Sequence, residues 1–84
     1  MNTLAKSVRF DDAMMWVSLA DGRELGVPLA FFPRLLQAQP AQRTAVTISG
    51  GGLGLHWDAL DEDISVPALL SGQGDMTASR KLAA

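Results

Sequence analysis

The chain has no cysteine, no tyrosine and a single histidine among its 84 residues. Without cysteine there is no disulfide framework, no thiolate nucleophile and no Cys-based zinc site. Aromatic residues are scarce at 6%, and two of them are tryptophan. There is no basic excess either. Seven Lys+Arg stand against nine Asp+Glu, for a net charge of −2 and an isoelectric point near 5.0. A basic nucleic-acid footprint and electrostatic attachment to an anionic membrane are therefore not expected. No apolar run approaches the roughly 18 residues of a membrane-spanning helix. Met1 to Lys6 lacks the pattern of a signal peptide, so a cytoplasmic protein is the expectation.

What is present is a globular composition, 48% apolar and 19% charged. The length allows one small domain. Lys6 to Phe10 reads as a strand with Val8 and Phe10 on one face. Asp11, Asp12 and Ala13 make a polar break. From Met14 to Ala20, Met15, Val17 and Leu19 alternate with Met14, Trp16 and Ser18, the period of a strand with a buried face. Asp21-Gly22 between two apolar runs signals a tight hairpin. Arg23 to Val27 is the return strand, and Pro28 ends it because proline cannot donate to a ladder.

Phe32, Leu35 and Leu36 then recur at helical spacing, which predicts a helix from about Ala30 to Ala38. Pro33 falls in its first turn and Pro40 stops it. Ala41 to Arg43 has room for one more short turn. Thr44 to Ser49 is β-branched and alternating. Gly50 to Gly52 forms a turn, and Leu53 to Trp57 returns as the second arm of a hairpin. Asp58 to Asp63 reads as an acidic turn around Leu60. Ile64 and Val66 recover the apolar pattern. Pro67 opens a short helix with Ser65 or Val66 near its cap and Leu69-Leu70 inside, and Gly72 ends it.

The expected fold is α+β. It is a mostly antiparallel sheet of about five strands, a three-stranded meander followed by a helix and a hairpin. One main helix packs on one face, and a short helix closes the domain. The domain spans residues 1–72, and residues 73–84 are read as a mobile tail or a weak terminal helix. A core of this size rarely supplies more than roughly 3–5 kcal/mol, so a partner or a homodimer would add stability.

Two stretches carry a resemblance. Asp21-Gly22-Arg23, Val27-Pro28-Leu29 and Phe32-Pro33-Arg34-Leu35 make up the first. Gly54-Leu55-His56-Trp57, Leu60 through Val66, and Leu69-Leu70 make up the second. Together they resemble the bacterial domain-of-unknown-function family 2442 over about residues 8–72, with His56 to Val66 as the specific part. The resemblance implies a small α+β domain like the one at the N-terminus of certain helix-turn-helix proteins. It also implies genomic neighbours of toxin–antitoxin type. The family has no established activity, so it transfers no catalytic residues. Twelve residues after Gly72 are too few for a helix-turn-helix, so direct DNA binding through a second domain is not expected.

His56, Asp58, Asp61, Glu62 and Asp63 form the one cluster with ligand chemistry. Their spacing fits no short metal-ligand pattern. The structural reading has Asp61 bracing a turn, Asp63 pairing with Arg34 or Arg43, and Glu62 facing water. Catalysis by His56 would need a nucleophile and an orienting group, and no serine sits in a nucleophile elbow. Gly50 to Gly52 lacks the following helix of a phosphate loop. Met14 and Trp16 fall on the side of their strand opposite Val17 and Leu19. There they form either an interaction patch or a buried contact.

The candidate partner-binding residues are Met14, Trp16, Arg34, Arg43, His56, Trp57, Asp61, Glu62 and Asp63. No catalytic or metal-ligating residue is assigned, and no cofactor is expected. The expected function is a non-enzymatic protein-interaction module, the antitoxin-like or regulatory member of a two-protein bacterial system. Its partner would be another protein, small and basic. One alternative is a nucleic-acid-associated regulator acting through a partner or through Arg80 and Lys81. Another is a metal-binding or enzymatic protein centred on His56.

Overall fold

The computed structural model describes residues 3–72. The segment at 73–84, expected to be a tail, lies outside the described residues. Among the described residues six strands form two three-stranded antiparallel sheets, each in simple meander order. Sheet A holds β1 (Ala5–Phe10), β2 (Met14–Leu19) and β3 (Glu24–Pro28). Sheet B holds β4 (Thr47–Ser49), β5 (Gly54–Trp57) and β6 (Glu62–Ser65). Between the sheets lie α1 (Pro33–Leu36) and α2 (Pro40–Thr44), and α3 (Val66–Leu70) follows β6. The expected α+β architecture is present, with its strands divided between two sheets.

In sheet A the side-chain alternation of β2 sorts as the sequence pattern requires. Met15, Val17 and Leu19 are buried, whereas Met14, Trp16 and Ser18 are half-buried on the opposite face. Both hairpin turns are built by an aspartate. The Asp11 carboxylate accepts the N–H groups of Ala13 at 3.1 Å and Met14 at 2.9 Å. Asp21 accepts the Arg23 N–H at 3.0 Å and pairs with its guanidinium at 2.8 Å. Such Asx contacts satisfy turn donors that the ladder leaves open.

The predicted helix over Ala30 to Ala38 is interrupted. Leu29–Phe31 is a 3-10 turn, and Phe32 is extended at φ −132° and ψ 90°. Pro33 causes the break, because its ring excludes the helical region for the residue before it. The first helix ends before Pro40, as expected, and the further short turn expected at Ala41 to Arg43 is α2, with Pro40 at its first position and Gln39 and Gln42 forming a reciprocal capping box. Thr44 therefore ends α2 and does not begin the strand, leaving β4 three residues long.

The sixth strand lies where an acidic turn was expected to run on to Asp63. Asp61 adopts the left-handed region at φ 50° and its N–H donates to the Asp58 carbonyl at 3.3 Å. That closes the turn within residues 58–61. Glu62 to Ser65 then pairs with β5, in the register Trp57↔Glu62, His56↔Asp63 and Leu55↔Ile64. Ser65 caps α3 by accepting the Ala68 N–H at 3.3 Å.

The inner faces of both sheets meet in one core. Met15 and Val17 come from sheet A, Leu55 and Trp57 from sheet B, and Leu29, Leu35 and Val66 from the connecting elements. The sheets join where β1 packs against β4 and the Gly50–Gly52 turn. Gly52 makes that approach possible. It is buried at φ 114°, and a Cβ there would lie 2.7 Å from Leu4 Cβ and 2.8 Å from the Ala5 backbone.

Candidate functional site

The strand β5 places His56 on the outer face of sheet B, between the buried Leu55 and Trp57. Its neighbour across β4 is Thr47, and its neighbour across β6 is Asp63. The Asp63 carboxylate meets Nδ1 at 2.6 Å, and the Asp58 carboxylate meets Nε2 at 2.5 Å. One ring thus lies between two carboxylates. Hydrogen bonding to Asp63 first, and to Asp58 second, raises the His56 pKa above its ordinary value of 6.5, with burial opposing. Charge-assisted bonds of this kind favour the imidazolium.

This arrangement corrects the expected pairing of Asp63 with Arg34 or Arg43. Arg34 reaches the same turn but donates to the Asp61 main-chain carbonyl at 2.5 Å. Asp61 serves the turn through its left-handed backbone and that carbonyl. Arg43 turns back on α1, with Nε donating to the Leu35 carbonyl at 2.6 Å and Nη2 to the Leu36 carbonyl at 2.8 Å. Both are carbonyls of the last turn of α1, and that of Leu35 also accepts the Ala38 N–H at 3.2 Å. The Arg43 carbonyl in turn accepts the Trp57 indole N–H at 2.8 Å. Trp57 is 1% exposed. Arg43 and Trp57 are therefore a structural staple between α1, α2 and β5, and Trp57 is not a surface contact.

Glu62 does not simply face water. Lying on the inward side of β6 with Ile64, it accepts the Asp63 N–H through Oε1 at 3.1 Å. Its Oε2 is buried without a hydrogen-bond partner among the described residues.

The half-buried Trp16 is engaged within its own sheet. Its indole N–H donates to the Asp11 carboxylate at 2.9 Å, and the Arg9 guanidinium lies 5.2 Å from its ring centroid. That bond first, then the N–H groups of Ala13 and Met14, holds the Asp11 carboxyl below its ordinary 3.8. Gly26 on β3 makes room for the ring, since a Cβ there would fall 2.5 Å from it. Met14 is half-buried on the same face. Met14 and Trp16 stand on sheet A, whereas Asp61, Glu62 and Asp63 lie at the β5–β6 turn and in β6 of sheet B, so the two halves of the expected docking face belong to different sheets.

A third feature was not anticipated. A groove of about 230 Å³ runs between β3 and α3, lined by Leu25, Gly26, Val27, Pro28, Phe31, Leu69, Leu70 and Gly72. None of these side chains is charged. Phe31, 45% exposed, projects at this groove. Reading residues 30–38 as one helix concealed it; Pro33 was the available signal that Phe31 lies outside α1.

Chemically, both ring nitrogens of His56 are engaged by carboxylates. Its two nitrogens diverge toward separate carboxylates, and ligands of one metal ion must converge. Among the described residues no group of three or more His, Cys, Asp or Glu side chains is placed to hold a metal. Among the same residues no helix is long and apolar enough to cross a membrane.

Fold and surface together define a small α+β domain of two meander sheets with an apolar groove at one sheet edge. The chain belongs to the family described as protein of unknown function (DUF2442), whose model matches residues 5–74. It is similar to a protein of unknown function from Rhodospirillum rubrum, seen in a crystal structure. That likeness has 36% identity and a TM-score of 0.78, and covers 89% of this chain and 93% of the other. It is also similar to an uncharacterised protein from Chromobacterium violaceum, seen in a solution NMR structure. Here the identity is 30% and the TM-score 0.75, over 96% of this chain and 79% of the other. No curated protein matches the chain.

Proposed function

We propose that this domain is a non-enzymatic protein-interaction module that binds an extended apolar segment of a second protein along β3. In this reading it is a cytoplasmic protein, the antitoxin-like or regulatory member of a two-protein bacterial system. The observation that carries the reading is the uncharged groove between β3 and α3 with Phe31 exposed beside it.

The edge of β3 supplies the second requirement of strand addition, backbone groups that can pair. Among the described residues β3 pairs with β2 alone. The Leu19 N–H bonds to the Arg23 carbonyl and the Leu29 N–H to the Ala13 carbonyl. Alternation along an antiparallel ladder then turns the main chain of Leu25 and Val27 toward β2, and that of Glu24 and Gly26 outward. Pro28 has no N–H, which limits the added strand to this short stretch. Apolar side chains of the incoming segment would enter the groove, and the net charge of −2 favours a basic partner.

The test is a tagged pull-down from the native host, with and without nuclease, comparing wild type with Phe31→Glu and Leu36→Glu. Both residues are 45% exposed, but Leu36 is not part of the groove. The expected result is one stoichiometric small protein that survives nuclease, persists with Leu36→Glu and is lost with Phe31→Glu. Recovery that depends on nucleic acid, or equal loss in both variants, overturns the reading.

A further inference from the structure

A neutral imidazole carries one N–H, yet both nitrogens of His56 sit within hydrogen-bond distance of a carboxylate. Two such contacts need two donors, so the geometry is that of the imidazolium. The two carboxylates differ in how they are held. Asp63 belongs to β6 and is the cross-strand partner of His56, whereas Asp58 lies in the turn with its side chain 93% exposed. From these observations we propose that His56 is a proton-operated latch on the turn between β5 and β6. Charged, it ties Asp58 to Asp63; neutral, it keeps Nδ1–H on Asp63 and releases Asp58.

The groups around the ring favour this behaviour. Thr47 faces His56 from β4 and carries no charge. Asp63 faces it from β6, and Asp58 from the turn. The Arg34 guanidinium from α1 ends on the Asp61 carbonyl and makes no ion pair with either carboxylate. In the neutral state one nitrogen presents a lone pair to a carboxylate, and that contact becomes repulsive. Both carboxylates are largely exposed, 93% for Asp58 and 77% for Asp63, but Asp58 lies outside the β5–β6 ladder and is the one released. Its carbonyl also accepts the Asp61 N–H, so its release loosens the closure of the turn.

The direction with pH follows from the linkage. The His56 pKa is raised on folding. The latch is therefore closed below the ordinary value of about 6.5 and opens as pH rises through the raised folded value. β6 runs directly into α3, one wall of the groove, so the latch steadies the strand that positions that wall. The inference does not depend on the groove having a partner.

The experiment is an NMR titration of the full chain, reading the ¹⁵N shifts of the His56 ring and the exchange rate of the Asp61 amide. The single histidine makes the ring signal unambiguous. The expected result is a midpoint above the ordinary histidine value and an Nδ1–H tautomer beyond it. Asp61 exchange, corrected for intrinsic pH dependence, should speed up several-fold across that midpoint while β2 amides do not change. Asp58→Asn and Asp63→Asn should both lower the midpoint, Asp63→Asn more. A midpoint at or below the ordinary value, an Nε2–H tautomer, or Asp61 exchange indifferent to the titration overturns the latch. The wild-type titration alone decides this if a variant fails to fold.

Discussion

Sheets A and B have the same meander topology, yet their exposed faces and turns respond to opposite charge states. In sheet A the organising groups are ionised carboxylates. Asp11 and Asp21 close the two turns, and Glu24 pairs with Arg9 at 3.1 Å. In sheet B the organising group is a histidine between two carboxylates, whose hydrogen bonds raise its pKa above the ordinary 6.5. Antiparallel pairing leaves the choice of turn chemistry open, and the two sheets of one small core use different chemistry. They share their interior, so a core defect should affect both, whereas a turn defect should stay local.

The largest effect expected is from Trp57→Ala. It removes a side chain that is 1% exposed and leaves the Arg43 carbonyl without its 2.8 Å donor. Truncating a buried tryptophan costs about 3–5 kcal/mol. That is comparable to the roughly 3–5 kcal/mol that a core this small provides. Loss of a cooperative urea transition is expected, with the dispersion of both sheets collapsing together in NMR spectra. If sheet A survived alone, the shared-core half of the comparison would be wrong.

Much of this division was legible in the sequence. The alternation of Met15, Val17 and Leu19 and the Asp21-Gly22 turn specify sheet A with little help from tertiary context. The family resemblance was legible in the run from His56 to Val66. What was not legible depends on backbone states that residue type does not announce. Asp61 in the left-handed region closes a turn sooner than its acidic surroundings suggest. That places Asp63 opposite His56 and makes a strand of Glu62 to Ser65. Phe32 is extended because Pro33 follows it, a local rule that the helical spacing of Leu35 and Leu36 obscured. The groove was hidden for another reason. Leu25 and Leu70 come from distant segments and meet only through the packing of α3 beside β3.

A smaller effect is expected where the sheets join. Gly52→Ala places a Cβ against the Ala5 backbone at 2.8 Å on a residue at φ 114°. A conformation this unfavourable for alanine costs more than about 1 kcal/mol, before any steric term. The denaturation midpoint should fall while the transition stays cooperative. The amides of Ala5 and Thr47 should shift more than those of Leu25, which is remote from the junction. An unchanged midpoint would mean that β1 approaches the Gly50–Gly52 turn less closely than described.

The smallest effect is the most direct test of the opposed charge states. Asp11 and Asp21 have pKa values lowered on folding, so their contribution is complete above the ordinary 3.8 and is lost as pH falls through the lowered values. His56 has its pKa raised, so its contribution is complete below the ordinary 6.5 and is lost as pH rises. Amide exchange measured between about pH 3 and pH 8 should thus loosen the turns of sheet A at the acid end and the turn of sheet B at the basic end. Asp11→Asn retains an oxygen that can accept the Ala13 and Met14 N–H groups while removing the titratable charge. It should flatten the acid response at Met14 and leave the response at Asp61 untouched. Loss of both responses together would show that the two turns report global unfolding, because a local titration at Asp11 has no route to the His56 carboxylates through the contacts of either side chain.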